Sequence, residues 1–249
     1  MRSLAALREN REVTYVLIHG AWHGGWAWRL VAPILRHAGH EVYAPSLTGM
    51  GDRSHLLRAE IDLELHVADV VAVLEAHDLS DVILLGHSYG GMVITGAADR
   101  AAKRIRRLVY FDAFVPENGR CLFDYVAAAV PERAAGFRKM GEATGFVDAP
   151  PNSVWGHTDP RVIDWIRPRE VRMPFRTQTQ PLRLANEAAL ARIPKTFVHC
   201  TSPETGTFGQ FAAKVRNDPA WRFHELKSGH DAMILQPQAV AELLLKEAS

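Results

Sequence analysis

A serine in a glycine-rich pentapeptide is the residue of this chain best suited to nucleophilic chemistry. Ser88 is the middle residue of the segment 86–90, which reads Gly-His-Ser-Tyr-Gly. The apolar run 82–85 precedes this segment, and a run of helical character, 92–98, follows it. A sharp turn between a buried strand and a helix exposes a serine at its tip, and glycines allow the helix to approach the strand closely. The pattern predicts that Ser88 is the nucleophile of an acyl-transfer reaction.

A serine hydroxyl needs a base that removes its proton, and histidine titrates close to neutral pH. The predicted base is His230, in the segment Ser-Gly-His-Asp at 228–231, between the last predicted strand and the closing helix. The order serine, acid, histidine along the chain is a known arrangement of this triad. His19 and His87 lie inside other motifs and are predicted to hydrogen-bond their loops, and His199, near a strand end, is the remaining alternative base.

The acid that orients the imidazole has two candidates. Asp112 directly follows the predicted strand 105–111, and Glu204 follows the predicted strand 195–200 in a loop. A carboxylate at the end of a strand is held in place by that strand, so Asp112 is preferred and Glu204 is kept as the alternative. Either residue also has a simpler interpretation, as a loop cap for Asp112 and as a solvated surface residue for Glu204.

Two backbone amides are predicted to stabilise the oxyanion that forms in acyl transfer. The loop 19–25 reads His-Gly-Ala-Trp-His-Gly-Gly and follows the first clear strand. Fixed N–H donors stabilise negative charge on a carbonyl oxygen, and we assign this role to the amides of Ala21 and Tyr89. The alternative interpretation of the loop is a tight strand-to-helix connection without a ligand.

The composition limits the classes of function. The chain has 249 residues, with 29 Lys and Arg against 28 Asp and Glu, so its formal charge of +1 favours neither nucleic acid nor an anionic membrane as a partner. The two cysteines, Cys121 and Cys200, have no paired spacing, which argues against disulfides and a cysteine zinc site. No apolar run approaches the ~20 residues that span a bilayer, and the apolar N-terminal stretch is short for a signal peptide. We therefore expect a cytoplasmic protein, and the sequence does not predict its oligomeric state.

Apolar runs alternate with amphipathic runs, which predicts a mostly parallel sheet with helices on both faces. Strands are predicted at 13–18, 40–44, 82–85, 105–111, 195–200 and 221–226, and helices at 63–77 and 238–246. The periodicity fails after Pro116, where only short, interrupted helical pieces are predicted. We interpret 116–190 as an inserted cap and 1–115 with 191–249 as the core. Trp22, Phe114 and Trp155 are predicted to bind substrate in an apolar pocket, to which Trp26, Phe123 and Trp165 are further candidates, although core packing is the simpler role for such aromatics.

Together these motifs resemble the α/β-hydrolase superfamily over essentially the whole chain. The segments 18–28, 111–119 and 229–231 are similar to those of the plant methyl-ester esterase and hydroxynitrile lyase group, and closer still to bacterial esterases of that kind. The resemblance implies an α/β-hydrolase fold, in which helices flank a mostly parallel sheet and a helical cap is inserted.

The resemblance leaves the acid open and narrows the reaction. In the plant group the acid follows the later strand, which corresponds to Glu204; in haloalkane dehalogenases and zearalenone lactonases it follows the earlier strand, which corresponds to Asp112. The separation of Ser88 and Asp112 matches the second arrangement. Lyases of the plant group have threonine and lysine where this chain has Ala21 and Asp231, which disfavours a cyanohydrin lyase. Dehalogenases and epoxide hydrolases use an aspartate nucleophile, so Ser88 argues against both.

The sequence therefore predicts a serine esterase that cleaves a small to medium, apolar or aromatic carboxylic ester or lactone through an acyl-enzyme, without metal or cofactor. Its expected partner is a small-molecule substrate. The alternatives are a cofactor-free lyase or a thioesterase with the same triad, and a ligand receptor with slow turnover.

Overall fold

A parallel sheet forms the centre of the computed structural model, which describes residues 12–248. The strands of the described chain are β1 (Thr14–Ile18), β2 (Glu41–Tyr43), β3 (Val82–His87), β4 (Ile105–Phe111), β5 (Phe146–Val147), β6 (Met173–Pro174), β7 (Lys195–Cys200) and β8 (Trp221–Leu226). Six of them form one sheet in the order β2-β1-β3-β4-β7-β8, and every pairing in it is parallel. β5 and β6 form a separate antiparallel pair.

The central strand β3 has both faces covered. All six of its residues are buried, which explains why the sequence shows a continuous apolar run there and no alternation. Successive side chains of β3 lie alternately in two hydrophobic cores, one on each face of the sheet. Leu84 packs in a core that includes Val93, whereas Ile83 and Leu85 pack in the core on the opposite face.

Helices cover both faces of the sheet. Within the described chain they are α1 (Ala32–His37), α2 (Leu63–Ala76), α3 (Gly90–Ala101), α4 (Leu122–Ala129), α5 (Pro131–Thr144), α6 (Pro160–Ile166), α7 (Arg176–Thr179), α8 (Glu187–Arg192), α9 (Gly209–Val215), α10 (Ala232–Leu235) and α11 (Pro237–Glu247). α2 and α3 pack together on one face, and α1 and α11 pack together on the other. In residues 12–248 no helix has the length and apolar character needed to cross a membrane.

The chain between β4 and β7 contains α4 to α8 and the small sheet. The sequence predicts only short helical pieces here, and α5 differs because it spans 14 residues. Pro131 begins this helix, where a missing N–H costs nothing, and Gly145 ends it with a φ of 77°. Its apolar side chains are few, which is why hydrophobic periodicity does not reveal it. The division into a core of 1–115 with 191–249 and a cap of 116–190 stays a prediction, and 1–11 and 249 lie outside the described residues.

The parallel sheet brings six loops to one edge. Since the carboxyl ends of parallel strands share an edge, the segments that follow all six of its strands meet there. Each sequence-predicted site residue of the core lies in the segment that follows one of these strands.

Candidate active site

Ser88 lies on the turn between β3 and α3. Its φ is 54°, in the left-handed region that a residue with a side chain rarely adopts. Glycines make this turn possible, since a Cβ on Gly86 would lie 2.4 Å from the carbonyl oxygen of Gly90, and a Cβ on Gly90 would lie 2.9 Å from that of His19. The strained turn is the local geometry that the sequence motif predicts for a serine nucleophile.

His230 contacts Asp112 directly. His230 Nδ1 lies 2.6 Å from Asp112 Oδ2, and the other carboxylate oxygen accepts a hydrogen bond from the amide of Cys200 at 3.1 Å. Both side chains are buried. Glu204, the alternative acid, faces a different ring, because its Oε1 lies 3.4 Å from His199 Nε2. The structure thus brings His230 together with Asp112, at the end of β4, and leaves Glu204 half exposed beside His199.

Burial sets the protonation of this pair. Burial lowers the pKa of His230 to about 4, against the opposing charge of Asp231. The imidazole is therefore uncharged at neutral pH, which is the state a general base requires. Burial raises the pKa of Asp112, and the hydrogen bond from the Cys200 amide opposes that rise.

A second buried carboxylate lies next to His230 in the chain. Asp231 Oδ2 lies 2.7 Å from His157 Nε2 and 3.4 Å from His23 Nε2, and Asp231 Oδ1 lies 3.7 Å from His87 Nε2. Burial alone would raise the pKa of Asp231, but the charge of His23 and the hydrogen bond from His157 outweigh it and hold that pKa well below its usual value. Burial alone would lower the pKa of His23, but the charge of Asp231 and its hydrogen bond outweigh burial, so the pKa of His23 is raised.

This carboxylate–histidine cluster is not predicted from the sequence. There Asp231 is only a departure from the plant lyases, and His157 falls within the predicted cap, 116–190, with no role assigned. The signal available in the sequence is the acid directly after the predicted base. His87 behaves as the motif predicts for a loop histidine, since its Nε2 lies 3.1 Å from the carbonyl oxygen of His230.

One group of side chains has the spacing of a metal site. Among residues 12–248, ligand atoms of His87, His230 and Asp231 lie within 4.8 Å of one another. Some of their donor atoms have protein partners, since His230 Nδ1 contacts Asp112 and Asp231 Oδ2 contacts His157, whereas His87 Nδ1 and Asp231 Oδ1 have no hydrogen-bond partner among residues 12–248. The absence of a metal from the reaction stays our prediction.

The two amides assigned to the oxyanion lie beside Ser88. Ala21 and Tyr89 line the same pocket as Ser88. Neither backbone N–H donates a hydrogen bond to another of the residues 12–248. The ring of Tyr89 is held away from this role, since its hydroxyl lies 2.9 Å from His66 Nδ1. The amides are thus free to donate to a ligand.

The pocket above Ser88 has mostly apolar walls. It is lined by Ala21, Trp22, Ser88, Tyr89, Phe114, Leu122, Val126, Arg133, Phe137, Trp155, Gln178, Thr207 and Phe208. Trp155 and Phe208 also contact the predicted base, with ring centroids 5.0 and 4.8 Å from that of His230. The pocket and the His230–Asp112 pair therefore form one site.

Three of the predicted pocket aromatics line this pocket, and three do not. Trp22, Phe114 and Trp155 are among its walls. Trp26 and Trp165 pack against each other instead, with ring centroids 5.4 Å apart, and Phe123 packs against Phe175. The sequence analysis missed Phe208, which comes from the loop after β7, where no motif or periodicity indicates a role.

Comparison with known proteins shows similarity along nearly the whole chain. Residues 15–243 match the model of a family described as the alpha/beta hydrolase family. A carbendazim hydrolyzing esterase of Nocardioides sp. (strain SG-4G) is 40% identical over 238 residues, which are 92% of this chain and 97% of that protein. An extracellular alpha/beta-hydrolase from a Paenibacillus species has a similar structure, with a TM-score of 0.82, 28% identity, and coverage of 94% of this chain and 98% of that one.

A plant protein matches over a shorter part. Salicylic acid-binding protein 2 of Nicotiana tabacum is 37% identical over 107 residues, which are 42% of this chain and 40% of that protein. The similarity to the plant group is therefore local at the level of sequence.

Proposed function

This chain belongs to the alpha/beta hydrolase family, and from that premise we propose that it is a serine esterase, which cleaves carboxylic esters or lactones through an acyl-enzyme. The observation that carries the proposal is the 2.6 Å contact of His230 Nδ1 with Asp112 Oδ2 beside the pocket that Ser88 lines. The name of the Nocardioides relative, an esterase, agrees with this class of reaction.

Acylation uses all five proposed catalytic groups. His230 keeps its Nδ1 proton and donates a hydrogen bond through it to the Asp112 carboxylate, which leaves Nε2 as the acceptor for the hydroxyl proton of Ser88. Ser88 Oγ forms a bond to the substrate carbonyl carbon, and the amides of Ala21 and Tyr89 donate to the resulting oxyanion. Such a donor contributes on the order of 3 kcal/mol to lowering the barrier. The C–O bond to the alcohol then breaks, and the imidazolium returns the proton to the departing oxygen.

Deacylation repeats these steps with water. His230 takes a proton from a water molecule whose oxygen attacks the acyl carbon. The bond to Ser88 Oγ breaks, the proton moves from the imidazolium to that oxygen, and the carboxylic acid leaves. The chemistry consumes one water for each ester and needs no other reactant.

The pocket supports a small to medium substrate with apolar or aromatic parts. Aromatic rings form much of its wall, including those of Trp22, Phe114 and Trp155. Carbendazim, on which the Nocardioides relative acts by its name, is a first compound to assay. A panel of esters, lactones and amides then defines the range of bonds that are cleaved.

The test is turnover of p-nitrophenyl acetate and butyrate by wild type and by Ser88→Ala, with Ser80→Ala as a control at an exposed serine. We expect steady turnover in wild type and in Ser80→Ala, and a loss of about a thousandfold or more in Ser88→Ala. Undiminished turnover in Ser88→Ala would refute the proposal. A single turnover followed by no further product would instead favour a ligand receptor.

A further inference from the structure

One cationic residue is among those that line the otherwise uncharged pocket. Of the lining residues named above, all within the described chain, Arg133 is the single charged one. It lies in the first turn of α5, and its guanidinium donates hydrogen bonds to Thr207 Oγ1 and to the carbonyl oxygen of Thr205, both at 3.1 Å. These bonds hold it against the loop that follows β7, which also carries Phe208, the ring stacked on His230.

Within residues 12–248, Arg133 has no protein anion to balance its charge. Among residues 12–248 it forms no ion pair with an aspartate or glutamate, and burial is the cause that lowers its pKa. A guanidinium has five N–H donors, so the bonds to Thr205 and Thr207 leave donors for a ligand. A charge that is partly removed from water is costly unless an opposite charge compensates it.

The charge of Arg133 also acts at the reaction centre, since it is one of the influences that lower the pKa of His230. A single positive charge in an apolar pocket matches a single negative charge. A carboxylate fits the planar fork of a guanidinium through two parallel hydrogen bonds, and this pairing is stronger where water is excluded.

We propose that the pocket takes esters whose acyl or alcohol part carries a carboxylate, and that Arg133 binds this second group. The inference rests on the proposed function and adds a substrate class to it, monoesters of dicarboxylic acids being the simplest members. Arg133 has no part in the bond-breaking steps. It selects the substrate by its charge, while the aromatic walls hold the apolar spacer between the two carbonyl groups.

The first test compares two substrates of matched length, mono-p-nitrophenyl glutarate, which is an anion, and its neutral methyl ester. In wild type we expect a higher kcat/KM for the anion, and a smaller preference as ionic strength rises. Arg133→Met should lower the ratio of the two kcat/KM values about tenfold or more. Arg133→Lys, which keeps the charge but not the fork, should retain part of the preference. Lys139→Met removes an exposed cation from the same helix and should leave the ratio unchanged.

The second test does not need turnover. Calorimetry on the Ser88→Ala protein measures the binding of monomethyl glutarate, an anion, and of the neutral dimethyl glutarate. We expect the anion to bind about tenfold more tightly. In the double variant Ser88→Ala, Arg133→Met, this difference should disappear. Equal binding of the two ligands, or an equal kcat/KM in wild type at low salt, overturns the inference even if Arg133→Met fails to fold.

The two proposals fail separately. If neutral esters are turned over by wild type but not by Ser88→Ala, and Arg133→Met leaves the ratio unchanged, the carboxylate inference is wrong and the esterase proposal stands. If Ser88→Ala retains turnover, the esterase proposal is wrong, and calorimetry still decides whether the pocket binds a carboxylate.

Discussion

The side chains of His157 and Asp231 meet at 2.7 Å between Nε2 and Oδ2, and both are buried. His157 comes from the chain between β4 and β7, whereas Asp231 belongs to the loop that carries His230. A second contact joins the same segments, because the amide of His230 donates to the carbonyl oxygen of Trp155 at 3.0 Å. The position of the proposed base thus depends on a stretch of chain far from it in sequence.

Removing the charge of Asp231 should disturb this loop. Asp231→Asn leaves the histidines around it without their anion, and breaking such a buried pair costs about 3 kcal/mol of unfolding free energy. We expect this loss in urea denaturation, together with a fall in kcat of about tenfold for p-nitrophenyl butyrate. Asp164→Asn, at an exposed carboxylate, is the control. An unchanged denaturation midpoint in Asp231→Asn would contradict the structural role.

The identity of the acid has a direct test in two single variants. Asp112→Asn keeps the size of the side chain but no longer holds the imidazole as a carboxylate does, so kcat should fall by about 10⁴. Glu204→Gln changes a residue that faces His199 and should alter kcat less than twofold. The measurement is kcat for p-nitrophenyl butyrate. A large loss in Glu204→Gln alone would assign the acid to the later strand.

The pH profile should reflect the burial of His230. In the proposed mechanism the unprotonated form of His230 is the active one, so kcat/KM should be full above the pKa of His230 and fall as the pH drops through it. Burial lowers that pKa to about 4, from the usual 6.5. We therefore expect kcat/KM to stay level from about pH 7 to about pH 5 and to fall below that range. Circular dichroism at each pH separates this effect from unfolding, and an acidic limb with its midpoint near 6.5 would refute it.

Two helical glycines should respond in opposite directions to alanine. In α3, a Cβ on Gly91 would lie 2.1 Å from the carbonyl oxygen of Phe114, a backbone atom that has little freedom to move. We expect Gly91→Ala to lower the unfolding free energy by about 2 kcal/mol or more. In α5, no atom lies within 4 Å of a Cβ on Gly136, and alanine there should stabilise the helix by about 0.5–1 kcal/mol. Urea denaturation of both variants measures the contrast, and equal effects would contradict it.

Local pattern was enough to predict the sheet. Each of its six strands begins and ends within about two residues of the predicted bounds. The inner strands are buried and therefore appear as apolar runs, whereas the edge strand β8 is only partly buried. The turn of Ser88 is predictable for a similar reason. The glycines around it are required by close backbone contacts between neighbouring elements. The choice of Asp112 over Glu204 rested on a weaker argument, the rigidity of a strand end, and its catalytic role stays a prediction.

Residues that depend on packing between distant segments were not predictable. Phe208 and Arg133 reach the pocket from a loop and from a helix that lacks a clear apolar stripe. His157 has no motif around it, and only the folded chain brings it to Asp231. A single sequence contains the residues of such contacts but no local sign that they meet.

The bonds from residues 155 and 157 to the loop of His230 have a consequence for engineering the range of substrates. Transplanting the segment between β4 and β7 from a relative would exchange the pocket wall and, at the same time, the supports of the imidazole. A chimera that omits Trp155 and His157 would have a new pocket wall but would lose the contacts that hold the loop of His230, the proposed base. Grafts that retain those two residues with their turn would separate the two properties.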